Sequence, residues 1–337
     1  MLKTKRNRSI SPKENIENIY LSSPPNFNHL GQKYPSFSPY VKKTKYNTYT
    51  IDWKNGEAVR ELTKCLLNKD FGIQYYELPN NYLIPTLPSR LNYILYLKKL
   101  YNIFGIGAKS KNTHYVFDVG TGANLVYPIL GSKMFNWNFV CSEINDNSIK
   151  IANNIIQGNN IDPKKIVIIK QNDSTKIFDG ILDNFQKFLQ KNKFIFSMCN
   201  PPYYDYENEI KFDNSHTDNE YNFEEVYTKG GEKQFILQMI KESETYKNKI
   251  FIFTSLVGKK KNFLILKEIL QKNKKLKFLK FETFFQGKNA RWVLAWGYHE
   301  NYESFINQNS LWVDKEFINY KPKIISQNNN IYKLSEI

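Results

Sequence analysis

The sequence predicts an α/β fold: a mainly parallel sheet with helices on both faces and an antiparallel hairpin at one edge. Three observations predict it. From residue 115 onward, short apolar runs alternate with stretches of helical periodicity, as strands and crossover helices do. The first two of those runs, 115–118 and 138–143, each end in a carboxylate, Asp118 and Glu143. Two late runs, 276–285 and 291–298, are joined through Gln286-Gly287-Lys288, a hairpin signal.

Taken in order, residues 1–50 are rich in Pro, Ser, Asn and Tyr and carry little apolar periodicity. Ser11-Pro12-Lys13-Glu14 has the form of a short helix start. Over 57–67, Ala58, Leu62, Cys65 and Leu66 recur at helical spacing. The run from Pro85 to Ser89 is a turn that starts a helix at Ser89, continued over 91–100. Strands then fall at 115–118, 138–143, 166–169, 194–199 and 249–254. Helices fall between and after them at 123–130, 146–157, 178–189, 233–247 and 262–271. No internal repeat is visible.

Composition excludes several classes. With 337 residues, 41% of them hydrophobic, the chain can build a sizeable core, as one large domain or two small ones. No run of about 18 apolar residues can cross a membrane. The N-terminus is basic but has no apolar stretch, so it is no secretory signal. Cys65, Cys141 and Cys199 lie too far apart for a disulfide framework or a zinc site, and a reducing intracellular compartment follows. His29, His114, His216 and His299 show no metal-ligand spacing. Trp292 and Trp296 lie on one face of one strand and are expected in the core.

The net charge of +16 points to a polyanionic partner: RNA, DNA or an acidic membrane. Residues 1–50 carry a net +7, residues 241–291 a net +10, and residues 205–229 a net −6. Two basic regions around an acidic insert suit a molecule that grips a backbone from both sides of a pocket. No stretch pairs a clean apolar face with a basic one, which argues against a membrane surface.

The chemistry-bearing residues gather at the strand ends. Asp118 runs into Val119-Gly120-Thr121-Gly122-Ala123-Asn124, where Gly120 and Gly122 let the backbone approach a ligand just before a helix. Glu143 ends the next strand, where a carboxylate can accept both hydroxyls of a ribose. The dinucleotide fingerprint needs a third glycine that is missing, and no phosphate-loop lysine is present. The pattern suits a nucleoside, and the adenosine of S-adenosylmethionine is the favoured one. Asn200-Pro201-Pro202-Tyr203 follows the fourth strand directly. Two prolines stiffen that loop and remove backbone donors. The Asn200 side-chain oxygen and the Pro201 carbonyl can then accept both hydrogens of an exocyclic amine such as adenine's. Tyr203 offers a face for stacking, worth about 1–3 kcal/mol.

These residues lie in stretches that resemble one family: SPPNFNHLGQKYPSF, EAVRELTKCLLNKDFGI, IPTLPSRLNYI, FDVGTGANLVYPILG, CNPPYY, GGEKQF and FFQGKNARWVLAW. The family is that of the RNA adenine-N(6) methyltransferases acting on U6 small nuclear RNA, with bacterial relatives acting on 23S ribosomal RNA. The resemblance implies a class I S-adenosylmethionine-dependent methyltransferase fold with a seven-stranded Rossmann-like sheet. It implies a basic N-terminal extension with a helical RNA-engaging region over 1–90, a methyltransferase domain over 91–300 and a tail over 301–337. Cofactor contacts are expected from Arg90, Asp118, Gly120, Gly122, Glu143, Thr175 and Asn200, with Asn200 to Tyr203 holding the target adenine. RNA contacts are expected from Lys5, Arg6, Arg8, Lys54 and Arg291.

The implied product is N(6)-methyladenosine in a structured RNA, made by a monomer without metal or membrane. The implied place is the nucleus, with the cytoplasm also allowed. Tyr203 stands where the family often has Phe, and stacking should survive that change. The acidic insert at 205–229 is expected to be a lid or spacer. The sequence stops at Ile337, before the additional C-terminal RNA-binding region of some animal members, which counts against a role on other transcripts. Competing readings are the 23S-type substrate, a catalytically silent RNA-binding protein, and a methyltransferase of DNA adenine or protein glutamine.

Overall fold

The computed structural model describes residues 18–109, 114–183, 193–205, 223–286 and 289–307. Its centre is a seven-stranded sheet. The strands are β1 (Tyr115–Val119), β2 (Asn138–Glu143), β3 (Ile166–Lys170), β4 (Phe194–Cys199), β5 (Ile250–Val257), β6 (Phe278–Gln286) and β7 (Asn289–Gly297). Their spatial order is β6-β7-β5-β4-β1-β2-β3. The strands β1 to β5 pair in parallel, and β7 runs antiparallel to both β5 and β6. The register runs from Phe278 with Gly297 to Gln286 with Asn289, so β6 and β7 form the hairpin the sequence predicts, with β7 starting before the expected residue 291.

Every residue of β2, β4 and β5 is buried. Their near-continuous apolar runs are what a parallel sheet covered on both faces requires. Neighbouring residues serve opposite faces: Val116 packs with one core cluster and Phe117 with the other. On the first face lie α1 (Gly56–Phe71), α2 (Leu87–Ile103), α3 (Val126–Phe135) and α4 (Asp146–Gly158). On the second lie α5 (Gly231–Ser243) and α6 (Lys260–Lys272). Asn145 caps α4 through the Ser148 N–H, and Asn55 caps α1 through the Ala58 N–H. Gly72 ends α1 at φ 67°.

The helix α2 buries Leu91, Tyr93, Ile94, Leu97 and Leu100 on most of its circumference, because an outer N-terminal layer covers it. Asn18 donates to the Pro88 carbonyl and to Asn92, each at 2.7 Å. Tyr20, Leu30, Phe37 and Ile51 join the same core as the sheet.

Three expectations are corrected. The stretch 178–183 is a set of turns, not the start of a helix. Its N–H groups go to a side chain: the Glu242 carboxylate accepts from Ile177, Phe178 and Asp179. Residues 184–189 lie outside the described residues. The helix expected at 123–130 starts only at Val126, because Leu125 takes a left-handed conformation at φ 50°. The helix expected at 233–247 is shifted to Gly231–Ser243. The start at Ser11 lies outside the described residues. The ends of the acidic insert meet in a short parallel ladder, Tyr204–Asp205 with Tyr227–Thr228.

Candidate active site

The strand order reverses between β1 and β4, and a ligand crevice is expected there at the carboxyl ends. A cavity of about 780 Å³ opens at that point, a size that suits a nucleoside-bearing cofactor. Its wall includes Gly120, Gly122, Glu143, Thr175, Asn200, Pro201, Pro202 and, from α2, Arg90.

Gly120 and Gly122 sit at φ 65° and 67°, in the left-handed region open to glycine. Glu143 holds their loop. Its Oε2 accepts the Gly122 N–H at 2.8 Å, and its Oε1 accepts the N–H groups of Ile144 and Asn145 at 2.8 and 3.0 Å. Asp118 is 1% exposed and lies behind the loop, off the cavity wall. Its Oδ2 makes no hydrogen bond. Burial pushes its carboxyl up to about 7; the Glu143 charge adds to this, and the Thr121 hydroxyl opposes it.

Arg90 donates through Nη1 to the Tyr127 hydroxyl at 3.1 Å and stacks over that ring at 5.7 Å. The Arg90 Nε is buried without a hydrogen bond. Thr175 donates its hydroxyl to Asp173 at 2.6 Å.

The end of β4 is fixed by a chain of hydrogen bonds. The Cys199 N–H donates to the Tyr93 hydroxyl at 3.2 Å, which donates to Thr254 Oγ1 at 2.7 Å. The Thr254 hydroxyl donates on to the Ser197 carbonyl at 2.8 Å. The residue after Cys199 is Asn200, so Tyr93 positions the loop. Tyr93→Phe leaves the Cys199 N–H buried without an acceptor. It is expected to lower stability in urea unfolding by about 1–3 kcal/mol. An unchanged midpoint would show that the strand end does not need this acceptor.

Tyr203, the expected base platform, has its hydroxyl and ring in contact with neighbouring groups. It is not on the cavity wall. Its hydroxyl donates to Asn200 Oδ1. Its ring lies on Gly258, where a Cβ would come within 2.5 Å of it, and under the Arg291 guanidinium at 5.4 Å. Of the basic residues expected to meet RNA, Arg291 thus touches the loop through Tyr203. Lys54 is exposed on the turn before α1, away from the cavity wall. Lys5, Arg6 and Arg8 lie outside the described residues.

Sequence reasoning missed three carboxylates. Glu232 is fully buried and accepts the N–H groups of Gly258 and Lys259 and the Asn262 amide. It thereby fixes the turn under Tyr203. Glu242, through the same kind of contact, shapes 177–179. Glu225, from the acidic insert, stands on the cavity wall and accepts the Leu83 N–H at 3.0 Å. No local signal marks Glu225, since apolar residues such as Ile210, Phe212 and Tyr221 recur through the insert.

Trp296 is buried in the core, as expected, and donates to Ser243 at 2.9 Å, whereas Trp292 is half-buried, stacked on Phe263 at the margin of the same core. The three cysteines are free and buried. Among the described residues, no group of three His, Cys, Asp or Glu side chains could hold a metal, and no helix is long and apolar enough to cross a membrane.

A family model described as RNA methyltransferase matches residues 9–300. The U6 small nuclear RNA (adenine-(43)-N(6))-methyltransferase of Dictyostelium discoideum is 34% identical over 325 residues, covering 87% of this chain and 56% of that protein. The chain therefore spans little more than half the length of that relative. Ribosomal RNA large subunit methyltransferase F of Flavobacterium johnsoniae is 33% identical over 286 residues, covering 80% of this chain and 88% of that one. The human METTL16 catalytic domain, solved with a MAT2A 3′UTR hairpin, superposes with a TM-score of 0.71 at 30% identity, over 84% of this chain and 95% of that one. The human METTL16 N-terminal domain in complex with SAH superposes at 0.67 and 29% identity, over 84% and 98%. A match that begins at residue 9 and runs past the last strand takes in far more than a shared sheet, and the chain belongs to this RNA methyltransferase family.

Proposed function

We propose that the protein is an S-adenosylmethionine-dependent RNA methyltransferase that makes N(6)-methyladenosine, with U6 small nuclear RNA as its substrate. One observation carries this reading: Asn200, Pro201 and Pro202 at the strand end and the Gly loop with Glu143 line one cavity. The cofactor, when bound, supplies an electrophilic methyl group. Glu143, the Gly120–Gly122 loop and Thr175 bind its nucleoside, and Arg90 holds its other end. Asn200 Oδ1 and the Pro201 carbonyl accept the two hydrogens of the adenine amine and so aim its lone pair at the methyl. Tyr203 gives up its hydrogen bond to Asn200 when the base enters. No strong base is needed, because the amine's proton is lost to water after transfer.

Lys5, Arg6, Arg8, Lys54 and Arg291 hold the RNA backbone. The acidic insert, with its net charge of −6, is a lid or spacer and no phosphate clamp. Neutralising Arg6 and Arg8 together is expected to flatten the salt dependence of RNA binding by about 1 to 2 in log–log slope. An unchanged slope would remove the arm from the interface. A U6 substrate places the enzyme in the nucleus.

The test is labelled methyl transfer to U6 small nuclear RNA, large-subunit ribosomal RNA and single-stranded DNA, with nucleoside analysis. N(6)-methyladenosine in the small nuclear RNA alone is expected. Label in ribosomal RNA would assign the bacterial-type substrate, a reading the Flavobacterium relative favours. Label in none, with cofactor still bound, would leave a silent RNA-binding protein.

A further inference from the structure

Glu225 stands on the cavity wall, yet neither the motifs nor the family resemblance accounts for it. Its Oε2 is fixed by the Leu83 N–H at 3.0 Å. The segment it is fixed to is itself held: the buried Arg60 donates to the carbonyls of Leu78 and Pro79 at 2.7 and 3.2 Å. Glu225 Oε1 is buried and lacks a well-formed hydrogen bond, with the Ala123 N–H acting on the same carboxylate. It faces the Gly loop, where a Cβ on Gly122 would lie 3.4 Å from it. A carboxylate oxygen fixed in place, desolvated and short of partners is costly unless a cation or a donor completes it. Burial pushes this carboxyl up to about 7, with the Leu83 and Ala123 N–H groups opposing the rise.

Arg90 stands on the wall of the same cavity with its Nε unpartnered. Besides Glu143, and with Lys176, Asp205 and Lys229 also on the wall, the cavity thus carries a buried carboxylate and a buried guanidinium. That is the complement of an α-amino acid zwitterion, with an ammonium and a carboxylate on one carbon. The methionine end of the cofactor has this chemistry, and its nucleoside end does not.

From this we infer that Glu225 receives the α-ammonium of the cofactor's methionine moiety through Oε1. The inference rests on the reading of this cavity as the cofactor site. It gives the acidic insert a specific part: its far end closes the wall over the methionine moiety, clipped in place by the Tyr204–Asp205 and Tyr227–Thr228 ladder. Glu225 is a binding residue that selects a cofactor bearing a free amine.

The test is calorimetric titration of the full chain with S-adenosylhomocysteine and with its des-amino analogue. Glu225→Gln keeps an acceptor for Leu83 and removes only the charge. It is expected to weaken S-adenosylhomocysteine by about ten- to a hundred-fold and the des-amino analogue by less than about twofold. Its melting temperature should equal or exceed that of the wild type, because a buried carboxyl loses its charge. Equal losses for the two ligands, or no loss for either, would overturn the inference. Glu143→Gln serves as the control and should weaken both ligands together. If it weakens neither, the cavity is not the nucleoside site and the underlying reading falls. If it weakens both while Glu225→Gln does not discriminate, only the role of Glu225 falls.

Discussion

Asn200→Ala should abolish methyl transfer, a loss of at least about a hundred-fold in single-turnover rate at saturating cofactor. RNA affinity should stay within about twofold if the proposed contacts from Lys54, Arg291 and the N-terminal arm hold the RNA backbone. The reason is geometric. The Cys199 N–H is tied to Tyr93, and Pro201 and Pro202 stiffen the chain beyond Asn200, so the loop has little freedom to compensate. Removing the amide leaves one acceptor, the Pro201 carbonyl, for two amine hydrogens, and the lone pair is no longer aimed. Tyr203→Phe makes the informative contrast. It keeps the ring and removes the hydroxyl that donates to Asn200 Oδ1. Turnover should hold or rise, because the base no longer competes with that hydroxyl. A wild-type rate in Asn200→Ala would sink the role assigned to the amide, and a collapse in Tyr203→Phe would mean the hydroxyl itself is needed.

What the sequence revealed and what it hid divide along local and distant causes. The strands were legible because each is a short apolar run buried on both faces, a property written in consecutive residues. The Gly loop, Glu143 and the Asn200 loop were legible because each follows its strand directly. Over 178–183 turns stand where the sequence reads as the start of a helix, because Phe178, Ile181 and Leu182 recur at a helical interval. All three are buried, but Glu242 takes the N–H groups that would have started a helix elsewhere. That carboxylate is 64 residues away from Phe178, beyond any local pattern. Tyr203 reads locally as a platform, yet Gly258 and Arg291 decide where its ring lies. Glu225 sits in an acidic run that reads as solvated surface, and only its contact with Leu83 brings it to the site.

Asp118→Asn should make the protein without cofactor more stable, by on the order of 4 kcal/mol at pH 8. In the unfolded chain this carboxyl loses its proton near the ordinary value of about 4. In the fold, burial holds the proton until about 7. Between those values the native state binds a proton that the unfolded state has released. This group's contribution to stability therefore falls as pH rises from about 4 to about 7, and the cost is complete above that. Asparagine carries no charge at any of these pH values and resembles the protonated acid in shape. Urea unfolding should thus find the two proteins nearly equal at pH 4 and well separated at pH 8. A gap of the same size at both would mean the charge is not its source. The same substitution should weaken S-adenosylhomocysteine binding, because the Gly loop begins beside Asp118 and the buried charge lies behind the cofactor site. A carboxylate kept at the end of the central strand at a cost to stability is what a binding function, rather than folding, would select.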